Sequence, residues 1–338
     1  MAYNPYRKSR KKVFWVKIKR YVKRSFGVLG VLLVLGSGLI TIGERENWST
    51  PTWRQIYAAF GVGETVAVPA TADDAKTKIH FIDVGQADAT LLEQNGFFAL
   101  IDAGEADTQT DLIDYLHEVG VEKLEYLIMT HPHSDHIGGM RAVLDTFEVN
   151  QVLLPNFDKA PVEWWPSTER LMERINEQKN PAIVMQTGDI YPLGEGNISV
   201  LMDGIQSDNA NNLSPILRFE VAEFRFLIEG DAEKEIEETA LERNLDIRAS
   251  LFKAGHHGSA TSNTEPFVQM IAPQYVIISC GQDNSYGHPH EEVLEIFEET
   301  GSRVFRTDQN GTIVAYVDQE QKLQIAVADV SEDLADVA

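Results

Sequence analysis

The chain has 338 residues, of which 43% are hydrophobic and 9% aromatic, and it contains one cysteine. This composition excludes a disordered protein, and a single cysteine excludes an internal disulfide. Ten of the 29 basic residues and none of the 52 acidic residues precede Glu44. The chain from Glu44 onward therefore holds 19 basic and 52 acidic residues, a net charge of about −33. Such a surface opposes unassisted binding to nucleic acid.

The N-terminal segment predicts a membrane anchor. Residues 1–25 hold the ten basic side chains, and residues 26–43, FGVLGVLLVLGSGLITIG, carry no charge. As a helix this run would span roughly 27 Å, close to the hydrocarbon core of a bilayer. A cleaved signal peptide is the alternative, but no A-x-A-like site follows. Because basic residues favour the cytoplasmic side, we expect a single-pass plasma-membrane protein whose remaining chain lies outside the cytoplasm.

A globular domain is expected over residues 78–323, after a juxtamembrane helix and polar linker over 44–77. Strand-like runs KIHFIDVG, DATLLEQ and FFALIDAG come first, followed by a helix in TQTDLIDYLHEVG and a strand in LEYLIMT. A histidine-rich loop then leads to a helix in GGMRAVLDTF, a strand in QVLLP and a helix in PVEWWPSTERLMERINEQ. This alternation is typical of a mixed α/β protein.

A second strand-rich series follows the first. It comprises strands in ISVLMD, SPILRFEV and FRFLIEGD, a helix in AEKEIEETALERN, strands in ASLFKAG and YVIISCG, a helix in HEEVLEIFEET and a strand in TIVAYVD. Cys280 lies in an apolar run and is expected to be buried, and residues 324–338 are expected to form an acidic tail. Two such halves predict an α+β sandwich, with two sheets face to face and helices outside.

The loop MTHPHSDHIGG is the strongest chemical signal in the sequence. It places His131, His133, Asp135 and His136 within six positions, directly after a predicted strand. Two imidazoles at positions i and i+2 suit one metal ion, and the aspartate with the last histidine can face a second ion. The pattern therefore predicts a metal site.

Further ligand-type side chains follow other predicted strands. They are Asp102 in LIDAG, Asp231 in FLIEGD, His256 and His257 in KAGHHGS, and His288 and His290 in YGHPH. A single aspartate at a strand end is more often a turn former. Recurrence in so many loops of one chain indicates a shared site, in which Asp231 could bridge two ions.

Several of these motifs resemble known proteins. MTHPHSDHIGG, LIDAG, LIEGDA and HHGS resemble the metallo-β-lactamase fold, an αββα sandwich. FIDVGQADA, YGHPH and RTDQNGTI are similar to the β-lactamase-like domain of the bacterial competence (DNA-uptake, ComEC-type) protein family, over roughly residues 78–318. Two departures stand out: full-length members of that family carry a polytopic channel, and their usual GQGDA reads GQADA here. Ala87 would alter the loop if its backbone required a positive φ.

The resemblance implies two divalent metal ions, Zn or Mn, and a role for each ligand. His131 and His133 would bind metal one, Asp135 and His136 would bind metal two, Asp231 would bridge them, and a histidine of HHGS would complete the set, with His256 favoured over His257. Many relatives carry a further histidine before the bridging aspartate, but SDNANNLSPILRFE has none. Metal one would then be completed by water, Asn212, Asp203 or Asp208.

The resemblance also implies catalytic roles. Asp135 would orient the attacking water, while His288 and Tyr286 would donate to the leaving group or to a phosphoryl oxygen. Ser259 and Thr261 offer hydroxyl groups for the same purpose. Ordinary packing is the alternative for Tyr286.

We therefore expect an extracytoplasmic metal-dependent hydrolase, a phosphodiesterase or nuclease acting on DNA or on a cell-envelope polymer, with a DNA-uptake channel as partner. One alternative is a lactamase-like hydrolase of small carbonyl substrates, against which the missing mid-domain histidine counts. Another is a non-catalytic accessory of DNA uptake, although all the core ligand positions are occupied.

Overall fold

The computed structural model describes residues 68–71, 75–161 and 166–328. The predicted basic segment 1–25, the predicted span 26–43, most of the predicted segment 44–77 and residues 329–338 lie outside this part. Within the described ranges, no helix is both long and apolar enough to cross a membrane.

The first half of the described chain alternates strands and helices. Its strands are β1 (Thr77–Phe81), β2 (Thr90–Gln94), β3 (Phe97–Ile101), β4 (Lys123–Ile128), β5 (Glu148–Leu154) and β6 (Ile183–Val184). Its helices are α1 (Gln109–Val119), α2 (Ser134–Ile137), α3 (Met140–Thr146) and α4 (Pro166–Asn176).

The second half repeats this alternation. Its strands are β7 (Ile190–Leu193), β8 (Gly196–Met202), β9 (Ile216–Val221), β10 (Phe224–Ile228), β11 (Leu251–Lys253), β12 (Tyr275–Ile278), β13 (Arg303–Arg306), β14 (Ile313–Val317) and β15 (Leu323–Val327). Its helices are α5 (Lys234–Glu242), α6 (Glu265–Ile271), α7 (Glu291–Glu299) and α8 (Thr307–Asn310).

The strands form two sheets with an apolar layer between them. The first has the order β15-β14-β1-β2-β3-β4-β5-β6 and the second β13-β12-β11-β10-β9-β8-β7. Phe81 of β1 and Phe226 of β10 meet edge to face between the sheets, with ring centroids 5.5 Å apart. In β8, alternate residues are buried because one face packs against this layer, whereas all four residues of β12 are buried because both faces are covered.

Helices cover the outer face of each sheet. Leu112 of α1, Met140 of α3 and Leu171 of α4 join the apolar cluster on the first sheet. The corresponding residues on the second sheet are Ile236 of α5, Phe267 of α6 and Phe297 of α7. The predicted sandwich of two sheets with helices outside is thus confirmed.

Parallel pairing in both sheets fixes where polar loops converge. Strands β3 to β6 pair in parallel, and so do β10 to β13. The carboxyl ends of parallel strands lie at one edge of a sheet, where ligands commonly bind. Asp102, His131, Asp231 and His256 all follow such ends, on β3, β4, β10 and β11.

Several short elements were not predicted, because each is too short to show a clear pattern. They are strands β6, β7 and β13 and helices α2, α6 and α8. The acidic tail predicted from residue 324 begins inside β15, so that boundary is wrong. The side chains of Ile325 and Val327 pack against the layer between the sheets, which extends the sheet beyond the predicted end.

Candidate metal centre

The histidine loop is shaped by a single helical turn. His131 follows β4, and α2 begins immediately after His133, so the chain reverses and brings His136 back toward the end of β3. There the amide of Ala103 donates to the carbonyl of His136 at 2.7 Å. Gly139 is required by this close approach, because a β-carbon there would collide with the carbonyl of Ala103.

Asp231 lies at the centre of the site, with a side chain only 2% exposed. Its Oδ1 is 3.2 Å from Nε2 of His136 and 3.8 Å from Nε2 of His257. Its Oδ2 is 3.8 Å from Nε2 of His131 and 3.6 Å from Nε2 of His256. The two oxygens of one carboxylate therefore face two different pairs of histidines.

Asp135 and His133 complete the ring of side chains. Oδ2 of Asp135 is 3.3 Å from Nε2 of His257, and Nδ1 of His133 is 3.0 Å from Nε2 of His131. The structure thus brings together all seven side chains predicted to bind metal. These are His131, His133, Asp135, His136, Asp231, His256 and His257.

The site fits divalent metal ions. Asp135, His136, Asp231 and His257 each bring a ligand atom within 4.8 Å of the others. Ligands bonded to one tetrahedral ion at 2.0–2.2 Å lie about 3.4 Å apart, close to the separations found here. Nε2 of His136 and Oδ1 of Asp231 are buried without a hydrogen-bond partner among the described residues. An ion between them would satisfy both atoms.

The charges of the buried groups also favour a cation. Burial alone would lower the pKa of His136, but the carboxylates Asp231, Asp102 and Asp135 outweigh it and raise that pKa well above its ordinary value. Burial, with the charge of His136, holds the pKa of His131 well below its ordinary value, so this ring is a neutral ligand. The same three carboxylates would stabilise a bound cation.

Hydrogen bonds to the outer nitrogens of the histidines hold the ligands in place. Oδ2 of Asp102 is 2.7 Å from Nδ1 of His136 and accepts from the hydroxyl of Thr130 at 2.6 Å. Nδ1 of His257 donates to the carbonyl of Ser279 at 3.0 Å. Because the outer nitrogen of each ring is held, Nε2 is left to point toward Asp231.

His256 was favoured over His257 as the ligand from HHGS, and the structure places both histidines at the site. His257 is the member of the tight group with Asp135 and His136, and its side chain is 2% exposed. His256 is 22% exposed and faces the other oxygen of Asp231.

The side chains predicted to replace the missing histidine are occupied elsewhere. Asn212 accepts from the amide of Glu233, Asp203 pairs with Lys159 at 2.7 Å, and Asp208 is exposed. Ser214 lies there instead, with its hydroxyl 3.3 Å from Nδ1 of His131 and accepting from the amide of Asp231. Asn212, Asp203 and Asp208 are thus not placed as ligands, and Ser214 supports the site from behind.

A buried ion pair behind the site was not predicted. Nζ of Lys253 is 3.0 Å from Oδ2 of Asp88, and both side chains are at most 2% exposed. Oδ1 of Asp88 is 3.6 Å from Nδ1 of His257, so the pair adjoins the metal ligands. The GQADA and FKAG motifs carry these residues, but 165 positions separate them. In the same loop Ala87 lies outside the left-handed region, and the positive φ of 72° belongs to Gly85.

His288 and Tyr286 form the outer wall of the site. The ring of His288 lies 5.6 Å from that of His256, and Tyr286 stacks on His288 at 5.6 Å. Tyr286 is 67% exposed and does not reach the ligands, so its predicted contact with the reacting group is not evident in this conformation. Gln86 fixes the orientation of His288. Its Oε1 accepts from the amide of Gly281, which leaves Nε2 to face Nδ1 of His288 at 3.4 Å.

The hydroxyl groups that were predicted to contact the substrate make contacts within the protein instead. Oγ1 of Thr261 is 3.0 Å from Nδ1 of His256 and donates to Oγ of Ser259, which is buried. Thr261 therefore orients His256, and Ser259 supports Thr261.

Comparisons with known proteins agree with the geometry. A model described as "Metallo-beta-lactamase superfamily" matches residues 82–204. ComE operon protein 3 of Bacillus subtilis is 31% identical over 256 residues, covering 70% of this chain and 32% of that protein. Competence protein ComA of Neisseria gonorrhoeae is 26% identical over 247 residues, covering 72% of this chain and 33% of that protein. The chain spans about a third of the length of these relatives.

Among solved structures, the metallo-beta-lactamase fold protein YhfI from Bacillus subtilis covers 74% of this chain and 99% of its own, with 11% identity and a TM-score of 0.48. The family matches confirm the resemblance predicted from the motifs. The chain contains a metallo-β-lactamase superfamily domain and, over about 70% of its length, is similar to bacterial competence proteins.

Proposed function

We propose that the protein is a membrane-anchored, extracytoplasmic phosphodiesterase that uses two divalent ions, Zn²⁺ or Mn²⁺. The observation that carries the enzymatic part is the buried carboxylate of Asp231, whose two oxygens face two pairs of histidines. Two ions held there would supply Lewis acidity at a phosphoryl oxygen and a water of lowered pKa. No separate serine or cysteine nucleophile is then required.

Asp135 is the side chain best placed to orient the attacking water. It is 28% exposed, more than any other carboxylate around Asp231, so one edge of the carboxylate faces the open side of the site. Burial would raise its pKa, but His136 and the hydrogen bond from His257 outweigh it and hold the pKa well below its usual range. Asp135 is therefore ionised at neutral pH and can accept a hydrogen bond from water.

His288 is the side chain we assign to the phosphoryl or leaving-group oxygen. Since an amide NH₂ can only donate, the contact with Gln86 makes Nδ1 of His288 an acceptor and puts the proton on Nε2. Burial, with the charges of His257 and His256, lowers the pKa of His288 to about 4. The ring is thus neutral at pH 7 and offers an N–H donor. Tyr286 is assigned to the outer part of the substrate.

The substrate class rests on the competence relatives and on the chemistry of the site. The Neisseria relative, competence protein ComA, is by its name a competence protein. We propose DNA or a phosphodiester polymer of the cell envelope as substrate and a DNA-uptake channel as partner. The net charge of about −33 after residue 43 favours delivery of DNA by such a partner over unassisted capture.

The activity can be tested with a substrate panel. The purified full-length chain, supplied with Zn²⁺ or Mn²⁺, is assayed on bis(p-nitrophenyl) phosphate, single- and double-stranded DNA, and a β-lactam. We expect phosphodiester cleavage that a chelator abolishes, with slow β-lactam turnover. Efficient β-lactam hydrolysis without phosphodiester cleavage would instead support a lactamase-like hydrolase. No activity with both ions bound would support a non-catalytic accessory of DNA uptake.

The location can be tested separately. The basic residues 1–25 and the apolar run 26–43 support an anchor with a cytoplasmic N-terminus. Protease added to intact cells should digest the chain beyond residue 78 and spare the N-terminus. Protection of that part in intact cells, with digestion after lysis, would show that the proposed orientation is wrong.

A further inference from the structure

The adjacent histidines of HHGS face opposite sides of one carboxylate. Nε2 of His257 lies 3.8 Å from Oδ1 of Asp231 and 3.3 Å from Oδ2 of Asp135. Nε2 of His256 lies 3.6 Å from Oδ2 of Asp231, the oxygen that His131 also faces at 3.8 Å. Two neighbouring residues therefore lie at two different parts of the site, His256 on the side of His131 and His257 on the side of Asp135.

An unusual backbone makes this division possible. His256 and His257 both have positive φ values, 48° and 54°, and Gly258 follows with 81°. Residues with a β-carbon seldom adopt this conformation, and two in succession persist only where the surroundings fix them. Here the amide of His256 donates to the carbonyl of Gly230, next to Asp231, and the amide of Ser259 donates back to His256.

His256 also has the outer support expected of a metal ligand. Its Nδ1 is 3.0 Å from Oγ1 of Thr261 and 3.8 Å from Oε1 of Glu233. Histidines that bind metals usually have the outer nitrogen held in this way, which directs the other nitrogen to the ion.

Among the described residues, none of the candidates from the segment before Asp231 replaces the missing histidine beside His131 and His133. Asn212 and Asp203 are bonded elsewhere, and Ser214 contacts the outer nitrogen of His131. His256 is the remaining ligand-type side chain, among the described residues, that faces Oδ2 of Asp231 with a free inner nitrogen.

We propose that His256 is the third histidine ligand of the ion at His131 and His133, whereas His257 belongs to the ion at Asp135 and His136. Asp231 would be shared between the two ions, since its Oδ2 faces His131 and His256 and its Oδ1 faces His136 and His257. The protein would supply three nitrogen ligands and one oxygen ligand to the first ion. It would supply two nitrogen ligands and two oxygen ligands to the second ion. This inference rests on the proposed two-metal site, and it does not depend on the substrate.

Metal stoichiometry of the full-length chain tests the division. Wild-type protein saturated with Mn²⁺ should retain two ions after desalting, by elemental analysis, and show the spin-coupled signal of a manganese pair. His256→Ala and His257→Ala should each retain one ion and lose the coupled signal. His117→Ala, which changes an exposed histidine on α1, serves as the control and should retain two.

Double variants identify which ion is left. Adding His131→Ala to His256→Ala should leave one ion, because both changes affect the same ion, whereas adding His136→Ala should leave none. The pattern should reverse in the His257→Ala background. Two ions in His256→Ala, loss of both in that folded variant, or fewer than two in wild type would overturn the inference. Two ions in wild type without phosphodiester cleavage would defeat only the proposed function.

Discussion

Oδ2 of Asp102 lies 2.7 Å from Nδ1 of His136, and both side chains are at most 1% exposed. The same carboxylate accepts from the backbone amide and the hydroxyl of Thr130, so it joins the ends of β3 and β4. A carboxylate behind a metal-binding histidine fixes the ring and raises its basicity. Asp102 is therefore a positioning residue for metal binding.

Asp102→Asn should weaken metal binding without unfolding the protein. Asn tolerates the positive φ of 58° at this position but cannot balance the charge of the ring. We expect the Kd for Mn²⁺, measured by calorimetric titration, to rise roughly 10–100-fold. Asp107→Asn, an exposed change in the following loop, should leave it unaltered. Equal affinities in wild type and Asp102→Asn would contradict the assigned role.

Lys253→Met should destabilise the fold strongly. It would leave Asp88 as a buried carboxylate without its ion-pair partner, and such losses cost about 3–5 kcal/mol in free energy of unfolding. Urea unfolding in the presence of chelator measures this cost without a contribution from metal binding. The double variant Asp88→Asn/Lys253→Met should recover part of the loss. A cost below about 1 kcal/mol for Lys253→Met would show that the pair is dispensable.

The sequence predicts those parts of the site that are local. His131, His133, Asp135 and His136 lie in one loop, and strand ends locate Asp231. The division between His256 and His257 could not be predicted, because it depends on two left-handed backbone conformations that the tertiary contacts impose.

Contacts between residues that are far apart in the sequence could not be predicted either. Asp88 and Lys253 meet only after the two sheets pack, and no local pattern couples them. Ser214 contacts His131 although 83 positions separate them, so the segment without a histidine gave no sign of its role. Helix α6 owes its structure to the burial of one face, and β13 owes its structure to parallel pairing with β12, rather than to local sequence pattern.

His80 should contribute to loss of stability in acid. It is buried between the hydroxyl of Tyr115, at 2.8 Å, and Oε2 of Glu93, at 3.2 Å. Burial lowers its pKa in the folded chain, although Glu93 opposes the shift. A folded pKa below the unfolded value means that the stability present above about pH 6.5 is lost as the pH falls toward the folded pKa.

The comparison of wild type with His80→Gln isolates this effect. In chelator, the difference in free energy of unfolding between the two proteins should be smaller at about pH 5.5 than at about pH 7.5, because Gln does not titrate. A difference that stays constant or grows on acidification would contradict a depressed pKa for His80.

Cys280 should be unreactive in the folded protein. It is fully buried, its thiol donates to Oδ1 of Asp308 at 3.3 Å, and burial together with Asp308 raises its pKa to about 12. Since the thiolate is the reactive species, alkylation by iodoacetamide should be at least about 10²-fold slower in native protein than in urea. Because the chain has one cysteine, any alkylation reports on Cys280. Rapid alkylation of the native protein would contradict the burial of this thiol.

Asp135→Asn should reduce turnover far more than substrate affinity. Its carboxylate faces the open side of the site and is ionised, and in the proposed mechanism it would act on the attacking water rather than on the bound substrate. An interaction made mainly in the transition state lowers kcat and leaves KM nearly unchanged. We expect kcat for bis(p-nitrophenyl) phosphate to fall at least about 10²-fold.

Ser134→Ala is the matched control for this variant, because Ser134 lies next to Asp135 but its hydroxyl donates to Glu105 and not to a metal ligand. It should keep wild-type kcat. If Asp135→Asn binds two ions and raises KM with little change in kcat, the carboxylate contributes to binding alone, and orientation of the water would have to be assigned to another group. A variant that loses one ion along with turnover would show that metal binding is the main role of Asp135, since Asn offers a weaker ligand than a carboxylate.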